Sequence, residues 1–490
     1  MQKENNTMQE NLKKKTVSGM IWSALQRFGT MGISFVSNIV LARLLTPDDY
    51  GCIGMLAIFI TVSNTFVDGG FGSALIQKKD VTQKDYSTIF WWNLFLSVVL
   101  YGALFISAPA VSRFYNIPLL ESVLQVQGVV LIINALNIVQ TNQLRKSINF
   151  KRLATIHIVS HIIGAVCAIV LAYMDWGVWA LVAQQIIASS ITSVMLWIMN
   201  RWLPQLCFSF DSFKQLFSFG GFMLASNLIN TFCNNVQGLL IGKFFNPAML
   251  GYYTQARKLE EIASHSFSGI IEQVSYPVLS KLQSDNNAMK IAIQKLTSGL
   301  AYVTFPMMMI LILIAEPLIL LLYGEKWLPC VSYFQILCIS GIAACLQGVS
   351  YYAIASKGRS KELFMWTIIK RSLILTMLII GIIYFEMEGL LWAVSLGSWI
   401  ILLINFYLVN KYIGYKLSDQ LKDLFPIFIL SSISFILASF IGKYISQHMW
   451  INAVSYIFSY LLVYISFSYF LKLKAFYFLK SILLDYLHKK

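Results

Sequence analysis

"LARLLTPDDYG", residues 41–51, ends a long apolar run with an arginine, a proline and two aspartates, and "IGKFFNPAMLG", residues 241–251, writes the same corner again. Both copies have an apolar pair, then a cation, two bulky residues, a proline and a closing glycine. Proline fixes φ and cannot continue a helix, whereas glycine lets a following helix start close by. A corner repeated at equal places in the order of apolar runs implies a chain made of two like halves.

The 490 residues are 57% hydrophobic and only 12% charged, with a mean hydropathy of +0.67, against roughly 25% charged in soluble domains. This is the composition of a polytopic membrane protein. Its apolar runs are near the ~20 residues a helix needs to cross the hydrocarbon, not the alternating segments of about ten that a barrel would show. The formal net charge of +15 has little extramembrane surface on which to build a basic groove, so nucleic acid is not an expected partner. The seven cysteines, Cys52, Cys167, Cys207, Cys233, Cys330, Cys338 and Cys345, lie mainly in apolar runs without a C-x-x-C pair, and read as small buried hydrophobes. The polar and then basic start, "MQKENNTMQENLKKKT", leads into an apolar segment interrupted by Arg27 and without a small-residue cleavage site, an uncleaved first span.

Apolar runs between polar turns predict about fourteen spans, near 17–43, 50–72, 87–110, 120–142, 153–174, 177–200, 217–243, 250–278, 296–323, 330–356, 363–385, 388–410, 424–444 and 450–472. The fourth and eighth, with "NALNIVQTNQ" and "QARKLEEIASHS", are too polar for lipid and are expected to face protein or water. Of the 37 Lys and Arg, 27 fall on one set of alternate sides, five on the other (Arg43, Arg113, Lys243, Lys326, Lys443) and five within spans. By the positive-inside rule both termini are cytoplasmic. Six spans separate the two corners, and an even number returns the chain to the same side. The repeat is therefore parallel, an arrangement in which substrates bind between the halves. At the C-terminus, "KAFYFLKSILLDYLHKK" sets Phe478, Leu479, Ile482, Leu483, Tyr486 and Leu487 opposite lysines; this fits a helix on the cytoplasmic leaflet and equally a frayed tail.

"LARLLTPDDYG", followed by "DGGFGSALIQKKD" (68–80) and "STIFWWNLFLSVVLYG" (87–102), resembles the bacterial polysaccharide-lipid flippases. These are the Wzx-type polysaccharide and O-antigen exporters, here of the colanic-acid-exporter-like branch, within the multidrug/oligosaccharidyl-lipid/polysaccharide superfamily. The motifs lie in the first 110 residues, and the span order and repeat extend the likeness along the chain. The resemblance implies an all-α fold with two parallel six-helix lobes around a central cavity, plus two C-terminal helices. On this reading residues 1–14 are a cytoplasmic tail, 15–204 the N-lobe, 205–410 the C-lobe, and 411–490 the last two helices with the amphipathic segment. It implies a transporter rather than an enzyme. The substrate would be an isoprenoid-pyrophosphate-linked oligosaccharide, flipped by alternating access across the bacterial inner membrane for surface polysaccharide or lipopolysaccharide synthesis. Polysaccharide assembly enzymes are expected alongside, the phospholipid bilayer is the surrounding partner, and no cofactor is implied beyond a coupling proton or sodium ion.

Charges inside a membrane are candidates for function because each costs about 2.5–3.5 kcal/mol on insertion scales. Five cations lie in spans: Arg27, Arg257, Lys258, Lys370 and Arg371. They are the candidate substrate-binding residues, since a pyrophosphate is anionic where it must cross oil and cations on several helices can replace the water it loses. Alternatively, Arg257 and Lys258 pair with Glu260, Glu261 or Glu272 on their own helix. Asp68 in "FVDGGFG" is a candidate coupling or gating residue, or binds backbone amides freed by the glycines. Glu316, just before Pro317, stands between the same readings. His157 and His161, four residues apart, lack a third ligand for zinc nearby.

A multidrug cation exporter of the same superfamily would be expected to line its cavity with acids, the reverse of the balance here. A membrane-embedded polymerase or ligase would need a sizeable external loop to carry catalysis, and the longest outer connection is about ten residues on this span map. No P-loop, zinc motif or nucleophile elbow is present in the sequence.

Overall fold

The computed structural model describes residues 2–445 and 448–488, and their side chains except at 2–17, 219, 265–274, 360–361, 445, 482–483 and 485–488. Every regular element among the described residues is helical. Packing divides the chain into two compact units, Met1–Gly251 and Tyr252–Lys490.

The first unit comprises α1 (Gln2–Leu44), α2 (Pro47–Asp68), the short α3 (Phe71–Gln77), α4 (Gln83–Tyr115), α5 (Leu119–Gln127), α6 (Val129–Lys146), α7 (Phe150–Tyr173), α8 (Val178–Asn200) and α9 (Phe210–Phe244). α1 packs on α7 and α7 on α8, while α4 packs on α6 and α2 runs along α9.

The two copies of the corner meet inside this unit. At the first, the Asp49 amide donates to Thr46 Oγ1 at 3.3 Å and the Thr46 amide to Asp49 Oδ2 at 2.9 Å, a capping box closed by Pro47 at the first helical position. At the second, α10 (Pro247–Lys281) opens on Asn246, whose Oδ1 accepts the Met249 amide at 2.8 Å. The first turns then press together: a Cβ on Gly51 would land on the Pro247 carbonyl, and a Cβ on Gly251 would land on the Pro47 carbonyl. Only a residue without a side chain permits so close an approach of backbones.

α10 runs on into the second unit, which continues with α11 (Asn286–Leu313), α12 (Ala315–Leu322), a 3₁₀ turn at Glu325–Trp327, α13 (Cys330–Ser356), α14 (Ser360–Ile413), α15 (Leu417–Ile445), α16 (Met449–Phe470) and α17 (Lys474–His488). Pro317 has no amide for the Leu313 carbonyl, and the helix breaks there into α11 and α12. α14 folds back on itself at Glu386 (φ 54°, ψ −136°). Its two arms are pressed together at Gly381 and Gly389, where a Cβ on either would land on the other's carbonyl. α15 pairs with α16 through a hydrogen bond between the Ser431 and Tyr460 hydroxyls, and the Tyr464 hydroxyl donates to the Tyr302 carbonyl of α11 at 3.0 Å.

This is a multi-pass helical membrane protein. Among the described residues ten helices are long and apolar enough to cross a bilayer, or eleven with α9, bent by 52° between Ser218 and Gly220, taken as one span. The expected fourteen differ from this number at three helices: α14 is counted once although it folds back at Glu386 into arms covering 363–385 and 388–410, and α1 and α10, helical through 17–43 and 250–278, are not among the ten. The lobe boundary expected after residue 204 follows the sequence repeat, whereas packing divides the chain after Gly251 because α9 lies along α2.

The C-terminal segment is a helix docked on its own unit. Phe476 of α17 lies 6.2 Å from the Tyr302 ring, and Phe478 covers Gly299 of α11. The side chains of Ile482, Leu483, Tyr486 and Leu487 lie outside the described residues, as do those of Lys13–Lys15 and Glu272. Of the cysteines, Cys52, Cys330, Cys338 and Cys345 are buried and the other three half-buried.

Candidate functional site

Where α2 ends, Asn64, Thr65 and Asp68 share one helical face, and Asn227, Asn230, Thr231 and Asn234 form a matching stripe on α9 at i, i+3, i+4 and i+7. Together they line an open cavity of about 380 Å³ within the first unit. The walls are tied by the Thr65 and Thr231 hydroxyls, 3.1 Å apart, and Asn64 is held to α6 by Asn134, whose Nδ2 donates to Asn64 Oδ1 at 3.0 Å.

The turn after Asp68 holds the two walls in register. Gly69 (φ 58°) caps α2 in the left-handed region, its amide donating to the Thr65 carbonyl at 3.2 Å. Gly70 (φ 68°) lies so close to the Gly220 carbonyl of α9 that no side chain fits. The Gly69 amide thus goes to the backbone, and the Asp68 carboxylate faces the cavity.

Three asparagines of the stripe, Asn227, Asn230 and Asn234, are exposed on a helix long and apolar enough to span with its bend. Polar groups of this kind in a membrane helix belong on a water-filled face, because lipid offers them no hydrogen-bond partner. Amides, hydroxyls and one carboxylate make a surface that exchanges hydrogen bonds with hydroxyl-rich molecules. Its single negative charge can hold a proton or a monovalent cation.

The sequence-predicted cations are distributed differently. Arg27 and Asp68 belong to the first unit and the other five candidates to the second. Arg27 is exposed on α1. Arg257 is ion-paired on its own helix, Nε to Glu261 Oε1 at 2.8 Å, with Tyr253 Oη at 3.4 Å from Nη1, and about a third of its side chain stays exposed. Lys258 is half-buried, and the buried Glu260, two positions on, packs its carboxylate against Gly341 of α13.

Lys370 is buried and bonds Asn405 Oδ1 across the two arms of α14, so its ammonium is turned into its own unit. Arg371, one position on, is half-exposed, and Glu316 is exposed in the first turn of α12, where the helix dipole favours an acid. The asparagine stripe of α9 carries no charge to mark it, although its "NLINTFCNN" spacing (227–235) is readable in the sequence.

The chain is thus a multi-pass helical membrane protein with a polar cavity between α2 and α9. Residues 40–332 match the family described as polysaccharide biosynthesis protein, and the chain belongs to that family. It is 26% identical over 417 residues to the teichuronic acid biosynthesis protein TuaB of Bacillus subtilis, spanning 85% of this chain and 86% of that one. To the lipopolysaccharide biosynthesis protein WzxC of Escherichia coli it is 23% identical over 428 residues, 86% of both chains. The succinoglycan biosynthesis transport protein ExoT of Rhizobium meliloti is 25% identical over 368 residues, 74% of both. Among solved structures, the lipid II flippase MurJ in an inward closed conformation superposes with a TM-score of 0.74 at 14% identity, covering 92% of this chain and 99% of that one. An inward-facing multidrug resistance MATE family transporter superposes with a TM-score of 0.65 at 13% identity, covering 81% and 98%. At these identities the superpositions establish the fold.

Proposed function

We propose that this protein is a transporter that moves a lipid-linked oligosaccharide, carried on an isoprenoid pyrophosphate, across the bacterial cytoplasmic membrane for surface polysaccharide synthesis. The observation that carries the reading is the polar cavity between α2 and α9, a hydrogen-bonding surface inside an apolar unit. Membership of the polysaccharide biosynthesis family supports it, as do relatives named for teichuronic acid, lipopolysaccharide and succinoglycan biosynthesis.

In this proposal the asparagines and threonines exchange hydrogen bonds with sugar hydroxyls as the headgroup passes. Arg27, Arg257, Lys258 and Arg371 supply positive charge to the pyrophosphate. Lys370, bonded to Asn405, positions the arm that carries Arg371. Asp68 holds the coupling proton or sodium ion, or gates access to the cavity. With both termini cytoplasmic, the inside-negative potential drives an anionic headgroup outward by about 2.3 kcal/mol per charge per 100 mV.

The test is complementation of a strain lacking its own exporter of this class, with surface glycan measured at matched protein level. Wild type should restore glycan, and a variant carrying Arg27→Gln with Arg257→Gln should not. Full glycan in that double variant would refute the role of the cations. Efflux of a lipophilic cation dye without any effect on glycan would replace the reading with drug export.

A further inference from the structure

A second cavity of about 380 Å³ lies in the other unit, between α11, α15 and the turn from α16 into α17. Four lysines ring it, Lys295, Lys422, Lys472 and Lys474, and all four are exposed. The carboxylate that shares the cavity, Asp423, already accepts a hydrogen bond from the Tyr415 hydroxyl. The floor is apolar: Phe478 packs over Gly299, and its ring sits 5.8 Å from the Lys295 ammonium.

The turn places Lys472 and Lys474 on the rim of this cavity. The Leu473 amide reaches back to the Ser468 carbonyl at 3.2 Å and the Lys472 amide to Tyr469 at 3.2 Å, a Schellman-type end to α16. Lys472 itself takes the left-handed position (φ 50°), where glycine is the usual occupant.

A ring of ammonium groups above an apolar floor, at the end of membrane helices, fits an acyl-linked phosphate better than a free one. The phosphate meets the lysines while the chains run down the helix faces. Basic pockets between membrane helices recognise acidic lipid headgroups in this way. The leaflet itself, present in large excess, supplies such phosphates.

We propose that this cavity binds the phosphate headgroup of an anionic glycerophospholipid, phosphatidylglycerol or cardiolipin, and thereby fastens α17 to α11 and α15. The site is separate from the sugar-handling cavity in the first unit and does not depend on the transport reading.

The full-length protein in neutral detergent, offered phosphatidylglycerol, cardiolipin and phosphatidylethanolamine at equal concentration, tests this by native mass spectrometry with a parallel melting curve. Wild type should retain the two anionic lipids over the zwitterionic one and melt higher in their presence. With each surface lysine worth about fivefold in lipid affinity, a Lys422→Gln/Lys474→Gln variant should bind about twenty-fivefold more weakly. A Lys79→Gln/Lys84→Gln variant, altered at exposed lysines of the other unit, should bind like wild type, and both should melt like wild type without lipid.

Equal retention of phosphatidylethanolamine overturns the proposal, as does an equal loss in both variants. Inorganic phosphate raising the melting temperature as much as phosphatidylglycerol overturns it in favour of a free-phosphate site. An isoprenyl pyrophosphate that displaces the glycerophospholipids through the same lysines overturns it in favour of a substrate subsite.

Discussion

Gly51 and Gly251 each face the carbonyl of the proline that opens the other's helix, Pro247 and Pro47 respectively. Gly51→Ala therefore forces backbones apart at a buried crossing. Overpacking of this sort costs about 1–3 kcal/mol, and the same loss is expected for Gly251→Ala. Melting temperatures in detergent should fall for each, and the double variant should lose less than the sum, because a crossing already opened has less to lose. An unchanged melting temperature in Gly51→Ala would contradict the packing.

Lys370 and Asn405 form a second pair, across the arms of α14. Lys370→Met leaves the Asn405 amide oxygen buried without its donor, at a cost of about 1–3 kcal/mol. Replacing both, with Lys370→Met and Asn405→Leu, should recover most of the stability and most of the transport. If the double variant is stable but exports nothing, Lys370 contacts substrate directly rather than holding the arm.

The α9 stripe carries the transport reading, and its asparagines are exposed, so they can be changed without a cavity penalty. Asn230→Ala with Asn234→Ala should lower surface glycan by about tenfold, the loss expected of one or two hydrogen bonds in the barrier, with little change in melting temperature. Asp68→Asn should instead remove the dependence of export on the proton or sodium gradient. Gradient-dependent export persisting in Asp68→Asn would exclude the carboxylate as the coupling group.

Glu386 occupies a left-handed φ of 54° with ψ −136°, a conformation suited to glycine. Glu386→Gly should raise stability by about 1 kcal/mol by removing the side chain's clash with its own backbone. The check is the melting temperature, and a fall would show that the glutamate side chain contributes more than the turn costs.

The sequence revealed the corners because both their residues and their spacing recur, and the apolar runs located helices throughout. What it hid is long-range pairing. Nothing near Lys370 announces Asn405, 35 positions on, so a charge in an apolar run read as a ligand for substrate. Arg257 stood beside carboxylates at helical spacing, and Glu261 proved to be its partner. Asp68 was visible as a charge, but its cavity was not, because the opposite wall is uncharged asparagine more than 150 residues away in α9. The docking of α17 depends on Phe476 and Phe478 meeting α11, a contact that amphipathic periodicity cannot distinguish from a lipid surface.

The crossing at the two prolines is self-complementary: each partner offers a glycine notch and receives a carbonyl. A half-length chain bearing only one such corner could make the identical contact with its twin about a twofold axis. Fusing the twins would leave the contact unchanged while freeing each copy to diverge everywhere else, as where α9 has Asn227, Asn230 and Asn234 and the first half, 200 positions earlier, has Arg27, Thr30 and Ser34.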